Sequence, residues 1–587
     1  MSLLSILSNA TTALLNSQAQ INVVSSNIGN ASNPNYSQRS ADVIDKSPQN
    51  GGGTQIVDVT RAVDGTLQTN YLNQTTNAAA SSTISQLYTQ LEQLTGSSTA
   101  SPVLSSALQT FQNAWQALQA TPEDATAQAQ VLSSAQGLVN TIQSVSHGVE
   151  QIASQVTTQL GSDVGTLNTS LSQIATLNQQ IVAGQHAGQD TTALQDSRDQ
   201  LITTVAGLVP VQQQMNADGS IYLSTPTGVA LVQQSANSFA YDKTTDSFYA
   251  AGDPAKTSLN RALTNGQIGA EIGILANTGA QTGSDVNSLN SYLSQVSTIN
   301  AAITAAGSAT AAQTAQLGKL KTAIQAELPA TTAAGPNGEL FFSLGATPLA
   351  DAAGAHPLAY NSTSNTIYLA SDPTQASLNA AVTSGALHTD LTSFTSVANP
   401  TATGTGALSN LRAQLNNLAD LFYNPTIPTA FQAAYNPSGT AGGDFFTGAT
   451  GGANDRFTLS VQATTSTLAS ALTTTPGIAV NVAQIFTATT NSFSAGGVSV
   501  ASTNFLGIAN AIASDQSSDA AAATSNQTAA TANTSAAQQA YRNVTGVSSD
   551  QQLAQLIALQ NAYSAAAKII STVQQLETTL LTAVGGS

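Results

Sequence analysis

The densest group of ionisable residues in the chain is Asp190, Asp196 and Asp199 around Arg198. Two carboxylates held at the right separation can act as the acid and base of a glycoside hydrolase. The same spacing suits a network along a helix, in which the Arg198 guanidinium pairs with carboxylates on its own turns and helps to fix a turn of the chain. We read the group in this second way. The four histidines, His147, His186, His356 and His388, have no second histidine or carboxylate at the spacing a metal takes on a helix face. Gly51-Gly52-Gly53 and Gly442-Gly443 lack the form of a phosphate-cradling loop, and there is no GxSxG nucleophile elbow. Asp163 and Asp285 each follow Gly-Ser and suit helix N-termini or surface positions. The expectation is a protein with no catalytic residues, no metal site and no cofactor.

Composition narrows the class further. The 587 residues suit several domains, and 41% hydrophobic content is enough to bury cores. Only 7% of the residues are charged, against about a quarter in an ordinary globular protein. Ser, Thr, Asn, Gln and Ala take their place. The net charge of −17 argues against binding phosphate backbones and anionic membrane surfaces, so neither nucleic acid nor membrane insertion is expected. With no cysteine, disulfides and thiolate chemistry are excluded. No apolar run reaches a membrane span, and the first residues lack the basic and apolar regions of a cleavable secretory signal. Export, if it occurs, takes another route.

The residues that remain informative are apolar and periodic. Leu3, Leu7, Ala10, Leu14, Ser17, Ile21, Val24 and Ile28 alternate steps of four and three, a heptad seam in a segment whose first charge is Arg39. The helix should stop near Gly29-Asn30, before the Asn33-Pro34 break. At the other end Leu556, Leu559, Tyr563, Ala566, Ile570, Val573 and Leu580 lie on a similar seam, interrupted by Glu577, with Ser548, Ser549 and Asp550 as N-cap candidates. The uncharged outer faces favour the two ends pairing with each other and with neighbouring subunits, since an ordinary surface helix carries Lys and Glu. Residues 66 to 160 read as helix with a break at Thr121-Pro122, Pro122 taking the first helical position. Trp115 is expected in the core. GSDVGTLNTSLSQIATLN from Gly161 and GSDVNSLNSYLSQVSTIN from Gly283 share eleven of eighteen residues. The similarity resumes further on, at an offset of 119, through turns at Asp218-Gly219 and Asn337-Gly338 that join short alternating runs.

The fold class expected is therefore multidomain α + β. A long antiparallel helical, coiled-coil core is formed by the N- and C-terminal parts, with tandem duplicated β-rich modules inserted. The domains are 1–45, an N-terminal axial helix; 46–160, the first part of a helical core; 161–282 and 283–395, two helix-plus-β copies; 396–545, the second part of the core with a β stretch; and 546–587, a C-terminal axial helix. Each terminal seam lacks a partner on its own, so the ends are expected to be largely disordered in a free monomer.

The ends also carry motifs. SSNIGNASNPNYSQRSADV resembles the N-terminal motif of the bacterial flagellar rod, hook and hook-associated proteins, through Asn27, Ile28, Asn30, Asn33, Tyr36, Ser37 and Arg39. GVSSDQQLAQLIALQNAYSAAAKIISTVQQLETTLL is similar to the matching C-terminal motif, through Gly546, Val547, Leu556, Gln560, Tyr563, Ala566, Lys568 and Ile570. Three internal stretches resemble parts of the hook-associated members, the first being TPEDATAQAQVLSSAQGLVN at a helix-pair connection. The second is Asp196, Arg198, Asp199 and Leu201 at the entry to a β domain; the third is Asn436, Gly439, Gly442, Asp444, Phe445 and Phe446 in a return loop. The resemblance implies a structural protein in a ring of copies at the junction between hook and filament, the seat for filament assembly. It implies contact with the hook protein, a second junction protein and an export chaperone, and secretion by the flagellar type III apparatus. The subunit interface is expected at Leu3, Leu7, Leu14, Ile21, Val24, Ile28, Leu556, Leu559, Tyr563, Ile570, Val573 and Leu580. The second module departs from the family pattern. A hook subunit or second junction protein, or an enzyme or adhesin carried on an axial scaffold, are the alternative readings.

Overall fold

The structure, a computed structural model, describes residues 3–45, 54–97, 102–243, 247–254, 256–276, 278–361, 366–384, 406–423, 431–435, 444–447, 459–475, 477–489 and 491–585. Gly51 to Gly53, His388, Asn436, Gly439 and Gly442 lie outside these residues. The fold is mostly helical, with several small antiparallel sheets.

In chain order, α1 (Leu3–Gly29) leads into a hairpin of β1 (Arg39–Asp45) and β2 (Thr54–Arg61). Four helices follow: α2 (Gly65–Thr95), α3 (Val103–Ala120), α4 (Ala125–His186) and α5 (Thr192–Leu208). Next come β3 (Gln212–Met215), β4 (Ile221–Ser224) and β5 (Ala230–Val232), then β6 (Phe239–Asp242) and β7 (Ser247–Ala250). Helices α6 (Gly266–Leu275), α7 (Thr278–Ala306) and α8 (Ala311–Glu327) precede β8 (Thr331–Ala334), β9 (Leu340–Leu344), β10 (Thr347–Asp351) and β11 (Gly354–Ala355). A further pair is β12 (Leu358–Asn361) and β13 (Thr366–Leu369). The chain then forms α9 (Ala407–Tyr423), α10 (Phe431–Tyr435), β14 (Phe446–Thr447), β15 (Ser460–Val461), α11 (Thr465–Thr474) and α12 (Ile478–Thr487). It ends through β16 (Asn491–Ala495), β17 (Val498–Thr503), α13 (Phe505–Thr545) and α14 (Ser549–Gly585).

Helix α3 ends where the sequence predicts, but Pro122 is not the first residue of the next helix. It sits in the intervening turn, and Asp124 caps α4 by accepting the Thr126 N–H at 2.8 Å. A carboxylate at that position satisfies one of the free donors of the first turn. Helix α4 then runs for 62 residues, straight through Gly161, because no Pro follows and its buried positions keep helical spacing.

The chain divides into two compact units. One comprises residues 1–78, 166–237 and 529–587, and contains both terminal helices. The other comprises 79–165 and 238–528. The second unit concentrates much of the protein's scarce aromatic content in one place. Phe111, Trp115, Phe422, Phe431, Tyr435, Phe445, Phe446, Phe486 and Phe505 pack with ring centroids 4.9 to 6.4 Å apart. Edge-to-face pairs such as Phe111 with Trp115 add to the area they bury. The return-loop residues Phe445 and Phe446 are thus core.

The same unit holds a second, separate core drawn from residues 286 to 382 alone. There Asn300 donates to the Leu340 carbonyl at 2.8 Å and accepts the Leu340 N–H at 3.0 Å. In the first unit Asn178 treats Ile221 in the same way, at 2.8 and 3.1 Å. Asn260 accepts the Phe248 N–H, and Asn379 accepts the Ile367 N–H. Lys256 and Gln375 both take positive φ, at 48° and 51°. Each of these pairs is separated by 119 or 122 residues, the offsets of the repeated sequences.

Candidate functional site: the paired termini and their clamp

Helices α1 and α14 pack along each other. On α1 the fully buried seam positions are Ala10, Ser17 and Val24, one every seven residues. On α14 they are Gln552, Ala566 and Val573, in the same period. Leu7, Leu14, Ile21 and Ile28 flank the first set half-buried, and Leu556, Leu559, Tyr563 and Ile570 flank the second. A seven-residue period keeps one stripe facing its partner, and small residues in it let the two backbones approach. Leu3 is helical. Leu580 does not join the stripe: it is 57% exposed, while Glu577 takes the half-buried phase. Leu580 keeps the buried phase, one heptad after Val573, and is exposed all the same. In this structure each seam finds its partner within the same chain.

The sharp turn after α1 is held by one side chain. Asn27 is 1% exposed, and its amide nitrogen donates to the Arg39 carbonyl at 2.8 Å and to Gln552 Oε1 at 2.9 Å. Its amide oxygen accepts the Tyr36 hydroxyl at 2.8 Å and the Arg39 N–H at 3.0 Å. One asparagine therefore ties together helix, turn, strand and the opposite terminal helix. Gln552 escapes the sequence reading, although it stands one heptad before Leu559. The backbone continues the junction: Gln38 N–H donates to the Thr545 carbonyl, and Ala62 N–H to the Gln38 carbonyl. Asn30 bonds back to Ser26, and Asn33 accepts the Asn35 N–H. Gly546 sits so close to Arg542 that a Cβ would stand 2.6 Å from its carbonyl oxygen. Gln560 is exposed on α14.

The β1–β2 register sets Arg39 directly opposite Arg61. Like charges facing each other across strands repel. Helix α5 resolves this: Asp196 bridges the two, reaching Arg39 Nη2 at 3.2 Å and Arg61 Nη1 at 2.7 Å. Asp199 adds a second carboxylate to Arg61 at 2.9 Å. Arg39 also lies over the Tyr36 ring, 4.7 Å from its centroid. Burial pulls the Arg61 guanidinium down, but Asp199 and Asp196 outweigh it, and its pKa rises. Burial pushes the Asp199 carboxyl up against the pull of Arg61 and Arg198. The clamp thus gains Coulomb energy while its carboxylates lose hydration.

Arg198 forms no pair with its own helix's carboxylates among the described ion pairs. Its guanidinium is buried and donates to Asn178 Oδ1 at 3.0 Å and to the Gly219 carbonyl at 2.7 Å. Burial lowers it to about 10. Arg198 faces inward and fixes the β3–β4 turn, whereas Asp196 and Asp199 face outward and fix the terminal hairpin. Asp190 caps α5, accepting the Thr192 N–H. His147 meets Glu150, and His356 meets Asp351. Among the described residues no three His, Asp or Glu side chains converge as metal ligands, and no helix is long and apolar enough to cross a membrane.

Two family models match parts of this chain, one in its helical core and one at its C-terminal helix. Residues 88–278 match the model described as Flagellar hook-associated protein FlgK helical domain. Residues 531–583 match Flagellar basal body rod FlgEFG protein C-terminal. Over these stretches the chain is similar to flagellar axial proteins, as its terminal motifs also are. More narrowly, it is similar to Flagellar hook-associated protein 1. The protein of that name from Salmonella typhimurium is 30% identical over 240 residues, 39% of this chain and 43% of the relative. That from Escherichia coli is 27% identical over 241 residues, again 39% and 43%. That from Bacillus subtilis is 26% identical over 240 residues, 39% and 47%. The flagellar hook junction protein FlgK from Burkholderia pseudomallei has 26% identity and a TM-score of 0.32, over 39% of this chain and 43% of that one. The matches span under half the length of these curated relatives.

Proposed function

We propose that this chain is a structural, non-enzymatic protein of the bacterial flagellum, forming the junction between hook and filament and seating filament assembly. The observation that carries the reading is the clamped pair of termini. An uncharged N-terminal helix and a sparsely charged C-terminal one meet in a seven-residue period, and the joint is tied by Asn27, Gln552 and the arginine–aspartate clamp. In this reading residues 1–45 and 546–587 form a coiled-coil axial element, and copies of the chain close into a ring through the outer faces of these helices. Residues 46–160 and 396–545 form the helical core. Residues 161–282 and 283–395 are tandem copies of one module, as their repeated asparagine bonds support. The partners are the hook protein, a second junction protein and an export chaperone. The protein leaves the cell through the flagellar type III apparatus without a cleavable signal.

The test is deletion of the gene, with complementation by the full chain and by a chain lacking residues 1–40. Bare hooks with filament subunits lost to the medium, rescued by the full chain alone, are the expected result. Normal filaments in the deletion strain would overturn the reading.

A further inference from the structure

Asp163 was expected at a helix start or on the surface, yet it lies buried in the middle of α4. Gln159 donates to both of its oxygens, at 3.1 and 3.2 Å. Gln267, on α6, donates to Asp163 Oδ2 at 2.7 Å and to Glu271 Oε1 at 3.3 Å. Glu271 is 2% exposed, and its second oxygen, Oε2, is buried without a partner as long as it carries no proton. On either side of it, Ala270 and Ile274 enter the main core.

We propose that Asp163 and Glu271 share one proton and form a proton-closed latch holding α6 on α4. A proton on Glu271 lets its carboxyl donate to Asp163, the side-chain hydrogen bond that raises it, and Asp163 already accepts from two amides. Both glutamines present N–H groups rather than carbonyls to the carboxyls, which suits a carboxyl–carboxylate pair and not a cation, whose ligands must be oxygen lone pairs. Burial, then the hydrogen bond and charge of Asp163, push Glu271 up to about 9. Among the described residues Asp163 is the one charge acting on it; Arg412 on the packed helix α9, and His147 and Glu150 on α4, do not act on it. The latch is an inference from this unit's own geometry and does not depend on the flagellar reading.

With a folded pKa of about 9 and an ordinary value of 4.5, the latch is at full strength below pH 4.5. It weakens as pH rises to about 9 and is flat above. The experiment is hydrogen exchange of the 266–275 amides in the full chain between pH 5 and 10, corrected for intrinsic rates, in the wild type, E271Q and D163N. The wild-type closing constant, relative to E271Q, is expected to fall by about tenfold per pH unit up to about pH 9 and to level off above it. In D163N the fall should end at lower pH, because the opposing charge is gone. Infrared spectra at neutral pH should show a protonated-carboxyl band that E271Q lacks, a readout that survives if a variant folds poorly. A pH-independent ratio of wild type to E271Q, or absence of that band in the wild type, would overturn the proposal.

Discussion

Replacing Asn27 by Ala removes four hydrogen bonds at once, at 2.8, 2.9, 2.8 and 3.0 Å. A buried bond contributes about 1 kcal/mol net, and each partner left unsatisfied adds its own desolvation cost. Tyr36 keeps a long alternative to the Ser26 hydroxyl at 3.3 Å, so it loses least. The Arg39 N–H and carbonyl and the Gln552 amide have no comparable substitute among the bonds seen here. The expected loss is about 3–5 kcal/mol, localised to the joint of α1, β1 and α14. Two compact units make global unfolding a poor assay, because the transition need not be two-state. Hydrogen exchange resolved along residues 3–28 and 549–575 of the full chain reads the joint directly. N27A should accelerate both segments together, since one side chain ties both. Q552A should cost about 1 kcal/mol, and the N27A/Q552A cycle should show a coupling of similar size. Unchanged protection of α14 in N27A would refute the claim that this node links the two ends.

Arg61, 3% exposed, stands between two carboxylates. R61M should cost about 3–5 kcal/mol by leaving them buried and unpaired, whereas R61M/D196N/D199N should recover much of the loss, read as hydrogen-exchange protection of the 39–45 and 54–61 amides. Because residues 286–382 build a core of their own, a fragment covering 278–384 should melt cooperatively when produced alone, as followed by circular dichroism. Burial, then Asp515, raises Asp519 to about 6, while the Tyr88 hydroxyl bond opposes them. The folded state therefore holds that proton more tightly than the unfolded chain. Stability is at its full value below pH 3.8 and falls by up to about 1.4 kcal/mol per pH unit as pH rises to about 6. D519N should flatten that part of a stability–pH curve, and an unchanged slope would contradict the placement of Asp519.

What the sequence alone determined is whatever repeats at short range. The steps of four and three from Leu7 to Ile28, and from Leu556 to Val573, mark a buried stripe because helix geometry returns a face every 3.5 to 3.6 residues. The Asp-Gly and Asn-Gly turns were legible for the same reason: their chemistry is local. At Leu580 the pattern misleads: it stands one heptad after Val573, in the buried phase, yet is exposed, since a heptad count does not show where along the helix a partner covers it. The clamp was beyond reach. Asp196 and Asp199 look like partners of Arg198, three or fewer residues away, but their side chains leave the helix toward Arg39 and Arg61, more than 130 positions earlier. Arg198 turns the other way, to Asn178 and the Gly219 carbonyl. Asp163 shows the same limit, its surroundings being supplied by Gln267 and Glu271 from a helix a hundred residues on. Periodicity says which face of a helix is buried; only the packed structure decides which charge it is buried against.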